Sequence, residues 1–403
     1  MGLIVQKFGG TSVAGTARII DTAKIVQKEI NSNNQVIVVV SAMAGATNQL
    51  INLCREVSSL NSHANLAEYD AALCSGEMVT SALLALNLQE IGIKSRSLFA
   101  WQLPILTSKS HAKAFVEMLD TKLLKECLDS GITPVIAGFQ GVTKDNRLST
   151  LGRGGSDTTA ALVAASMNAS RCDIYTDVTG IFTADPRLVH NAKKIDDIGF
   201  EEMLELASSG AHILHPRSVE LAMRYNINMR VLSSFALENG TLITSKKHIM
   251  EHKLITGITS NKNLLKLSIN ATGVLNFSEI CNLFLQNNIH VELMLNIDSD
   301  KQYNFIIQLG DKRRLESLIN DLKQDNKITD FTINTEIAIV SLVGYGIKND
   351  SKLAGTIIEL LAKESVNIAM IQVAEIKISL LIADKDAEKS IRILHEFFEL
   401  DKL

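Results

Sequence analysis

Residues 150–159 (TLGRGGSDTT) contain the groups needed to hold an anion beside an acid. Glycines on both sides of Arg153 let the backbone approach a ligand closely. The apolar stretch that follows predicts a helix with Ser156 and Asp157 as N-cap residues, and a helix N-terminus offers unpaired N–H groups to an anion. The guanidinium of Arg153 matches a carboxylate or a phosphate. The alternative is a glycine-rich turn with an ordinary capping aspartate.

The N-terminal residues 3–12 (LIVQKFGGTS) predict a strand, a glycine turn and the start of a helix. Lys7 precedes the Gly9-Gly10 turn, and together they have the parts of a phosphate cradle: backbone N–H groups and one ammonium. The pattern differs from a Walker A loop, in which the lysine follows the glycines. Taken alone it is also compatible with a common strand–turn–helix and a solvated lysine.

Composition excludes several classes of protein. The chain has 403 residues, of which 46% are hydrophobic and 21% charged, with a net charge of −4. These values are typical of a globular protein of two or three domains and give no nucleic-acid signature. Five scattered cysteines without a CxxC pair favour reduced thiols over a disulfide framework or a zinc site. No signal peptide or apolar run of about 20 residues is evident, so we expect a cytoplasmic protein without a membrane or nucleic-acid partner.

Strands and helices alternate up to about residue 245, which predicts an α/β sheet. A helix is expected at 66–91, with a break near 75–76. The predicted strands are 3–5, 36–40, 132–137, 172–175 and 229–232. The loops with chemical groups each follow a strand: 7–12, 41–47, 138–155 and 176–187. Ligands of such sheets bind at the carboxyl ends of the strands, so one site accounts for all four loops.

After about residue 250 the pattern becomes two successive βαββα runs of similar length, a repeat of the ferredoxin-like type. Neither run contains a nucleophile–base pair or a metal cluster. The repeats therefore favour ligand sensing or oligomerisation through sheet edges.

The chain resembles the aspartate kinase family over essentially its whole length, through KFGGTS, SAMAGATN, SGE, AGFQG, TLGRGGSDTTA, YTDVTGIFTADPR and FEEMLELASSGAHILHPRSVELA, in that order, and two C-terminal repeats. That family belongs to the amino acid kinase superfamily, and its repeats are ACT domains. The resemblance implies a three-layer αβα sandwich with a mainly parallel central sheet over residues 1–248. Two ferredoxin-like (βαββαβ) ACT repeats are then expected at 249–333 and 334–403.

The resemblance also implies the reaction and the residues that perform it. The family transfers the γ-phosphoryl group of ATP, with Mg²⁺, to the side-chain carboxylate of L-aspartate, the first step toward lysine, diaminopimelate, methionine and threonine. Lys7 and Asp157 match its catalytic positions, and no metal ligand is assigned. The aspartate-binding positions match Thr47, Glu77, Arg153 and Ser156. The nucleotide-binding positions match Lys7, Phe8, Gly9, Gly10, Ser41, Thr176, Asp177, Phe182, Asp185, Arg187 and His212. Assembly through the ACT repeats into a homodimer or higher homo-oligomer is implied as well.

Two alternatives remain open from the sequence. One is a kinase of another small acidic amino acid, such as glutamate or acetylglutamate; Glu77 argues for a free amino acid, because an acetylated amine has no use for a carboxylate partner. The other is a weakly active regulatory subunit that binds nucleotide.

His212 stands where the resemblance leads us to expect a lysine, and Phe182 where tyrosine is usual. A neutral imidazole supplies less charge than an ammonium. We therefore expect His212→Lys to lower the KM for ATP or to raise kcat. Steady-state kinetics checks this; a fall in activity would instead show that the imidazole has a role of its own.

The ACT repeats also depart from the family at the effector positions. The first repeat has GVLNF at 273–277 in place of an acid and a Pro-Gly turn. The second has NDSKL at 349–353 and Gln372-Val373-Ala374 where polar contact residues are usual. We therefore expect little inhibition by lysine or threonine. The alternative is a changed effector site that includes Asn270 and Glu292.

Overall fold

Two apolar strands lie side by side at the centre of the fold in the computed structural model. β1 (Leu3–Phe8) pairs in parallel with β2 (Gln35–Val40) on one side and with β9 (Arg171–Thr176) on the other. Both β1 and β2 are buried along nearly their whole length, as strands covered on both faces must be. The structure describes residues 2–60, 62–211, 213–236, 238–245, 254–272, 275–297, 302–347 and 350–402.

The chain forms two compact units. Unit 1 comprises Met1–Phe182, Lys194–Ser208 and His212–Glu251. Its other strands are β3 (Ser95–Leu98), β4 (Ile105–Thr107), β5 (Val116–Leu119), β6 (Thr133–Ala137), β7 (Gln140–Thr143), β8 (Leu148–Thr150), β10 (Asp197–Gly199), β11 (Met229–Ser233) and β12 (Thr241–Thr244). Its helices are α1 (Thr16–Asn31), α2 (Ala46–Val57), α3 (His63–Glu90), α4 (Lys122–Asp129), α5 (Gly155–Ser166), α6 (Phe200–Ser208) and α7 (Pro216–Arg224).

The central sheet of unit 1 has eight strands in the order β10-β12-β11-β9-β1-β2-β6-β3. Only β11 and β12 pair antiparallel. Phe8 packs with α1 and α3 residues, whereas its strand neighbour Lys7 contacts Asp157 of α5. Because successive strand residues point to opposite faces, α5 covers the face opposite α1 and α3. The expected three-layer sandwich with a mainly parallel sheet is confirmed.

Helix α3 is continuous, so the predicted break near Ser75-Gly76 was wrong. A Cβ on Gly76 would lie 2.8 Å from the Cβ of Ala42; the glycine permits close packing instead of ending the helix. By length and composition α3 could also cross a membrane. It is a core helix of unit 1, with Asp70 and Glu77 buried within it, and core helices commonly have this composition.

A second, four-stranded sheet of unit 1, in the order β5-β4-β7-β8, was not predicted. Its strands have three or four residues each, too short for a clear alternation of apolar and polar residues. The last of them, β8, leads directly into the glycine-rich loop at 151–155. This sheet therefore fixes where the loop begins.

Unit 2 contains Thr183–Lys193, Ser209–Ala211 and His252–Leu403. Its strands are β13 (Gly257–Asn261), β14 (Leu264–Ala271), β15 (Val291–Ile297), β16 (Gln302–Gln308), β17 (Ile328–Asn334), β18 (Ile337–Val343), β19 (Met370–Val373) and β20 (Lys377–Ala383). Its helices are α8 (Phe277–Gln286), α9 (Lys312–Gln324), α10 (Leu353–Lys363) and α11 (Ala387–Phe397). The two sheets have the orders β15-β16-β14-β17 and β13-β18-β20-β19. The first repeat is thus formed by one continuous segment of the chain. The sheet of the second repeat includes β13, which precedes the first repeat in the sequence.

Candidate active site

A cavity of about 310 Å³ opens at the carboxyl ends of β1 and β2 and the start of α5. It brings together eight residues that the sequence singled out: Lys7, Gly10, Ser41, Thr47, Glu77, Arg153, Ser156 and Asp157. Its wall also includes the expected loop glycines Gly152, Gly154 and Gly155, and five residues that the sequence did not single out as ligand contacts: Ala42, Met43, Ala44, Gly45 and Phe139. Three of the four loops with chemical groups, at 7–12, 41–47 and 138–155, therefore meet at this cavity.

Lys7 and Asp157 form an ion pair, with 2.5 Å between Lys7 Nζ and Asp157 Oδ1, and their side chains are only 10% and 11% exposed. Neither Asp157 nor Ser156 caps α5, contrary to expectation. Gly154 is the N-cap, with a φ of 68°, and Asp157 turns its carboxylate from the first helical turn toward the lysine. The ammonium is thus held near the unpaired N–H groups of a helix start, a region of positive potential suited to phosphate.

Glu77 is a buried carboxylate with one unused oxygen. Its Oε1 accepts the backbone N–H of Ala42 at 3.0 Å, while Oε2 is buried and has no hydrogen-bond partner among the described residues. Burial raises the pKa of Glu77 to about 7, against the lowering effect of the backbone hydrogen bonds. An ammonium group entering the cavity would supply the missing partner and favour the ionised form.

We expect this carboxyl to control the pH dependence of catalysis. Below a pH of about 7 Glu77 is protonated in the free enzyme and cannot pair an ammonium, so kcat/KM for the amino acid should fall as the pH drops through that value. Glu77→Gln should raise the KM for the amino acid and remove this pH dependence. The exposed Glu68 of the same helix is the matched control, as Glu68→Gln. A fall near pH 7 that persists in Glu77→Gln would assign it to another group.

Arg153 lies between two glycines in left-handed conformations, Gly152 with φ 77° and Gly154 with φ 68°. Its side chain is exposed at the cavity, and the described residues provide no hydrogen bond or ion pair to its guanidinium. A Cβ on Gly154 would lie 2.2 Å from the Cβ of His215, so only glycine fits there. The planar cation is therefore presented to the cavity ready for an anionic ligand.

His215 is a residue whose position sequence reasoning did not connect to the site. It caps α7 by accepting the N–H of Arg217 at Nδ1, at 3.3 Å. Burial lowers its pKa, and the nearby negative charge of Asp157 opposes this effect. The His-Pro dipeptide signals a helix start, but its packing under Gly154 depends on residues some 60 positions apart.

Phe8 and Gly9 do not line the cavity, although both were assigned to the nucleotide. The Phe8 ring is fully buried and stacks on Tyr175, with ring centroids 4.7 Å apart. The Gly9 N–H donates to the Tyr175 carbonyl at 3.0 Å. These contacts place the turn, and leave Gly10 and Ser41 to face the cavity.

The other described nucleotide positions are not among the residues that line the cavity. Thr176 and Asp177 follow β9, and the Thr176 hydroxyl donates to the Asp177 carboxylate at 3.0 Å. Phe182 is the last residue of its segment of unit 1. Asp185 and Arg187 belong to unit 2 and form an ion pair at 2.7 Å; the Arg187 side chain lowers the pKa of Asp185. His212 lies outside the described residues.

The fold and the site define an amino acid kinase. The sequence profile of the amino acid kinase family matches residues 2–233, and an ACT domain profile matches residues 340–398. An aspartokinase of Rickettsia felis is 59% identical over 401 residues, covering 99% of this chain and 100% of the relative. Aspartokinase 2 of Bacillus subtilis is 37% identical over 406 residues, covering 100% and 99%. The crystal structure of E. coli aspartokinase III in complex with aspartate and ADP matches with a TM-score of 0.84 at 27% identity, covering 98% of this chain and 99% of that chain.

Both aspartokinase sequences and the aspartokinase structure align with nearly the whole chain. The chain belongs to the aspartokinase family.

Proposed function

We propose that the protein transfers the γ-phosphoryl group of ATP to the side-chain carboxylate of L-aspartate, giving 4-phospho-L-aspartate and ADP. One observation carries the proposal: a single cavity contains a lysine held by an acid, and a buried carboxylate oxygen and a guanidinium for which the described residues provide no partner. These are the partners that an ammonium, an α-carboxylate and a transferring phosphoryl group require. The product would enter the route to lysine, diaminopimelate, methionine and threonine.

The division of labour follows from charge. Glu77 would pair the ammonium and Arg153 would bind the α-carboxylate bidentately, with Thr47 and Ser156 completing the substrate contacts. This leaves the side-chain carboxylate as the free end of the substrate. Because a carboxylate with a pKa of about 4 is already ionised at neutral pH, the nucleophile needs no general base. The protein has to position it and to neutralise charge on the phosphoryl group.

Lys7 would supply that neutralisation. Its side chain cannot swing away freely, because Asp157 holds the ammonium at 2.5 Å. The Gly10 N–H and the Ser41 hydroxyl would face the phosphates, and Thr176, Asp177 and Phe182 of unit 1 would contribute to the nucleotide site. A preorganised cation costs no reorganisation at the moment of transfer.

Magnesium would arrive with the nucleotide. The described residues contain no cluster of three or more His, Cys, Asp or Glu side chains placed to hold a metal. Mg²⁺ in kinases is commonly held by phosphate oxygens, water and one or two carboxylates, and Asp157 offers one carboxylate in the cavity. When bound, the ion neutralises phosphate charge.

The proposal is tested by measuring ADP release with a coupled assay over a panel of L-aspartate, L-glutamate, N-acetylglutamate and N-acetylaspartate. We expect turnover with L-aspartate and strong discrimination against the acetylated acids, since they leave Glu77 without a cation. Equal turnover of N-acetylaspartate would contradict the assigned role of Glu77. Nucleotide binding without turnover of any acid would favour a regulatory subunit.

We also propose that the ACT repeats assemble the enzyme into a homodimer or higher oligomer without a lysine or threonine site. Residues at the former effector loop contribute to folding: Leu275 is buried, Asn276 and Glu279 form a capping box on α8, and Phe277 stacks on Phe305. Gly273 and Val274 lie outside the described residues. Val373, in the second repeat, is 48% exposed and cannot replace a polar contact.

We therefore expect lysine and threonine, singly or together, to leave activity nearly unchanged at subsaturating aspartate. A buried zwitterion without polar partners costs several kcal/mol, so binding should be lost. Titration of lysine, threonine and diaminopimelate checks this. Half-inhibition by lysine or threonine at low concentration would instead point to a changed site, with Asn270 and Glu292 as the residues to replace first.

A further inference from the structure

Asp70 joins three parts of unit 1 beneath the glycine-rich loop. Its carboxylate is fully buried and faces the His111 ring, with 2.8 Å to Nδ1. It also accepts the Ala112 N–H at 3.1 and 3.0 Å and the Thr150 hydroxyl at 2.6 Å. A buried carboxylate is stable only when donors surround it in this way. These hydrogen bonds therefore connect helix α3, the loop at 108–114 and the end of β8 through the Asp70 carboxylate.

The same helix face reaches the substrate cavity. Asp70 and Glu77 are seven residues apart on α3, about two helical turns, and both are buried. Glu77 faces the cavity, whereas Asp70 does not line it. Helix α3 thus fixes the position of Glu77 relative to Asp70, the carboxylate that connects the loops.

The loop at 108–114 in turn contacts the residues that precede Arg153. The Ala114 N–H donates to the Thr150 carbonyl at 2.9 Å. Arg217 donates to the carbonyls of Ala114 and Leu151, at 3.1 and 3.2 Å. A Cβ on Gly152 would lie 3.2 Å from the Ala112 carbonyl oxygen, so the two loops are in close contact. Arg153 is the next residue, and its guanidinium has no hydrogen-bond or ion-pair partner among the described residues, so its position depends on the backbone of this loop.

The geometry points to Asp70 and His111 as positioning residues that set where Arg153 stands relative to Glu77, and so fit the site to the ammonium and the α-carboxylate of a free amino acid. This inference rests on the proposed function of Arg153 and Glu77. Neither residue of the pair contacts the substrate; each acts through the loop. Because a misplacement of about 1 Å in a binding group can cost about a hundredfold, loosening the pair should weaken aspartate binding while ATP binding is preserved.

The test compares His111→Ala with His111→Asn, whose amide nitrogen can take the place of Nδ1 as donor to Asp70. Kinetics would give kcat and the KM values for aspartate and ATP, and thermal unfolding would report the fold. His290→Ala is the matched control, because His290 Nδ1 contacts Asp311 at 3.0 Å in unit 2. Thr150→Val removes only the hydroxyl donor to Asp70, and decides the question if His111→Ala does not fold.

We expect His111→Ala to raise the KM for aspartate about tenfold or more, with the KM for ATP changed less than about twofold. His111→Asn should recover most of this loss, Thr150→Val should raise the same KM several-fold, and His290→Ala should match the wild type. The inference is overturned if folded His111→Ala keeps the wild-type KM, if both KM values rise together, or if asparagine does not rescue. Should Arg153→Ala raise the KM for aspartate while the His111 and Thr150 variants do not, only the positioning role fails. Absence of aspartate turnover in the wild type would refute the proposed function itself.

Discussion

Replacing Lys7 by alanine should lower kcat by about a hundredfold or more while the protein remains folded. The Lys7 ammonium is nearly buried, fixed by Asp157 at 2.5 Å and directed into the cavity. Removing one preorganised group that stabilises developing charge typically costs about a hundred- to a thousandfold in kcat. The removed charge acts on the phosphoryl group, so the KM for aspartate should change much less than kcat.

The control for this experiment is Lys24→Ala. Lys24 is 67% exposed and pairs with Asp21 on the surface of α1, and such pairs contribute little to stability. Its kcat should equal that of the wild type. A Lys7→Ala enzyme within about threefold of the wild-type kcat would be incompatible with a transition-state role for this charge.

Arg153→Ala should raise the KM for aspartate about a hundredfold. Hydrogen bonds to charged groups contribute about 1.5–3 kcal/mol each, and about 1.4 kcal/mol corresponds to a tenfold change in affinity. The guanidinium has no other partner among the described residues, so its removal leaves no buried group unsatisfied and the loss should appear as binding. We expect kcat to fall less than kcat/KM.

Arg147→Ala provides the comparison. Arg147 lies six positions earlier, on the approach to β8, and its side chain is 42% exposed beside Glu68. Its replacement should leave the KM for aspartate unchanged. If Arg153→Ala also left the KM for aspartate unchanged, the Arg153 guanidinium would have to point away from the bound amino acid.

Part of the cavity could be predicted because its signals are local. A β-branched run such as 36–40 specifies a strand buried on both faces, and loops that follow parallel strands meet at one edge. Lys7 and Arg153 could therefore be placed at one site before the structure was known, whereas Glu77 lies on a helix and was assigned to the site only by the resemblance to a family. The resemblance to a family assigned them roles that their spacing alone did not.

The structural details that escaped prediction depend on contacts between distant residues. The role of Gly76 is set by Ala42 across a helix–loop contact, so the sequence indicated a break where close packing occurs. Asp157 was expected to cap α5, but the lysine 150 positions earlier takes its carboxylate. The Asp70 contacts span 41 residues to His111 and 80 to Thr150. No local pattern contains that information.

In the proposed reaction the side-chain carboxylate of aspartate receives the phosphoryl group. An acyl phosphate reacts with hydroxylamine to give a hydroxamate at the same carbon, so trapping followed by chromatography against authentic α- and β-aspartyl hydroxamates identifies the carboxylate that was phosphorylated. The wild-type enzyme should give the β-hydroxamate, in an amount equal to the ADP released, and Lys7→Ala should give almost none. ADP release without hydroxamate, or formation of the α-hydroxamate, would contradict the assignment.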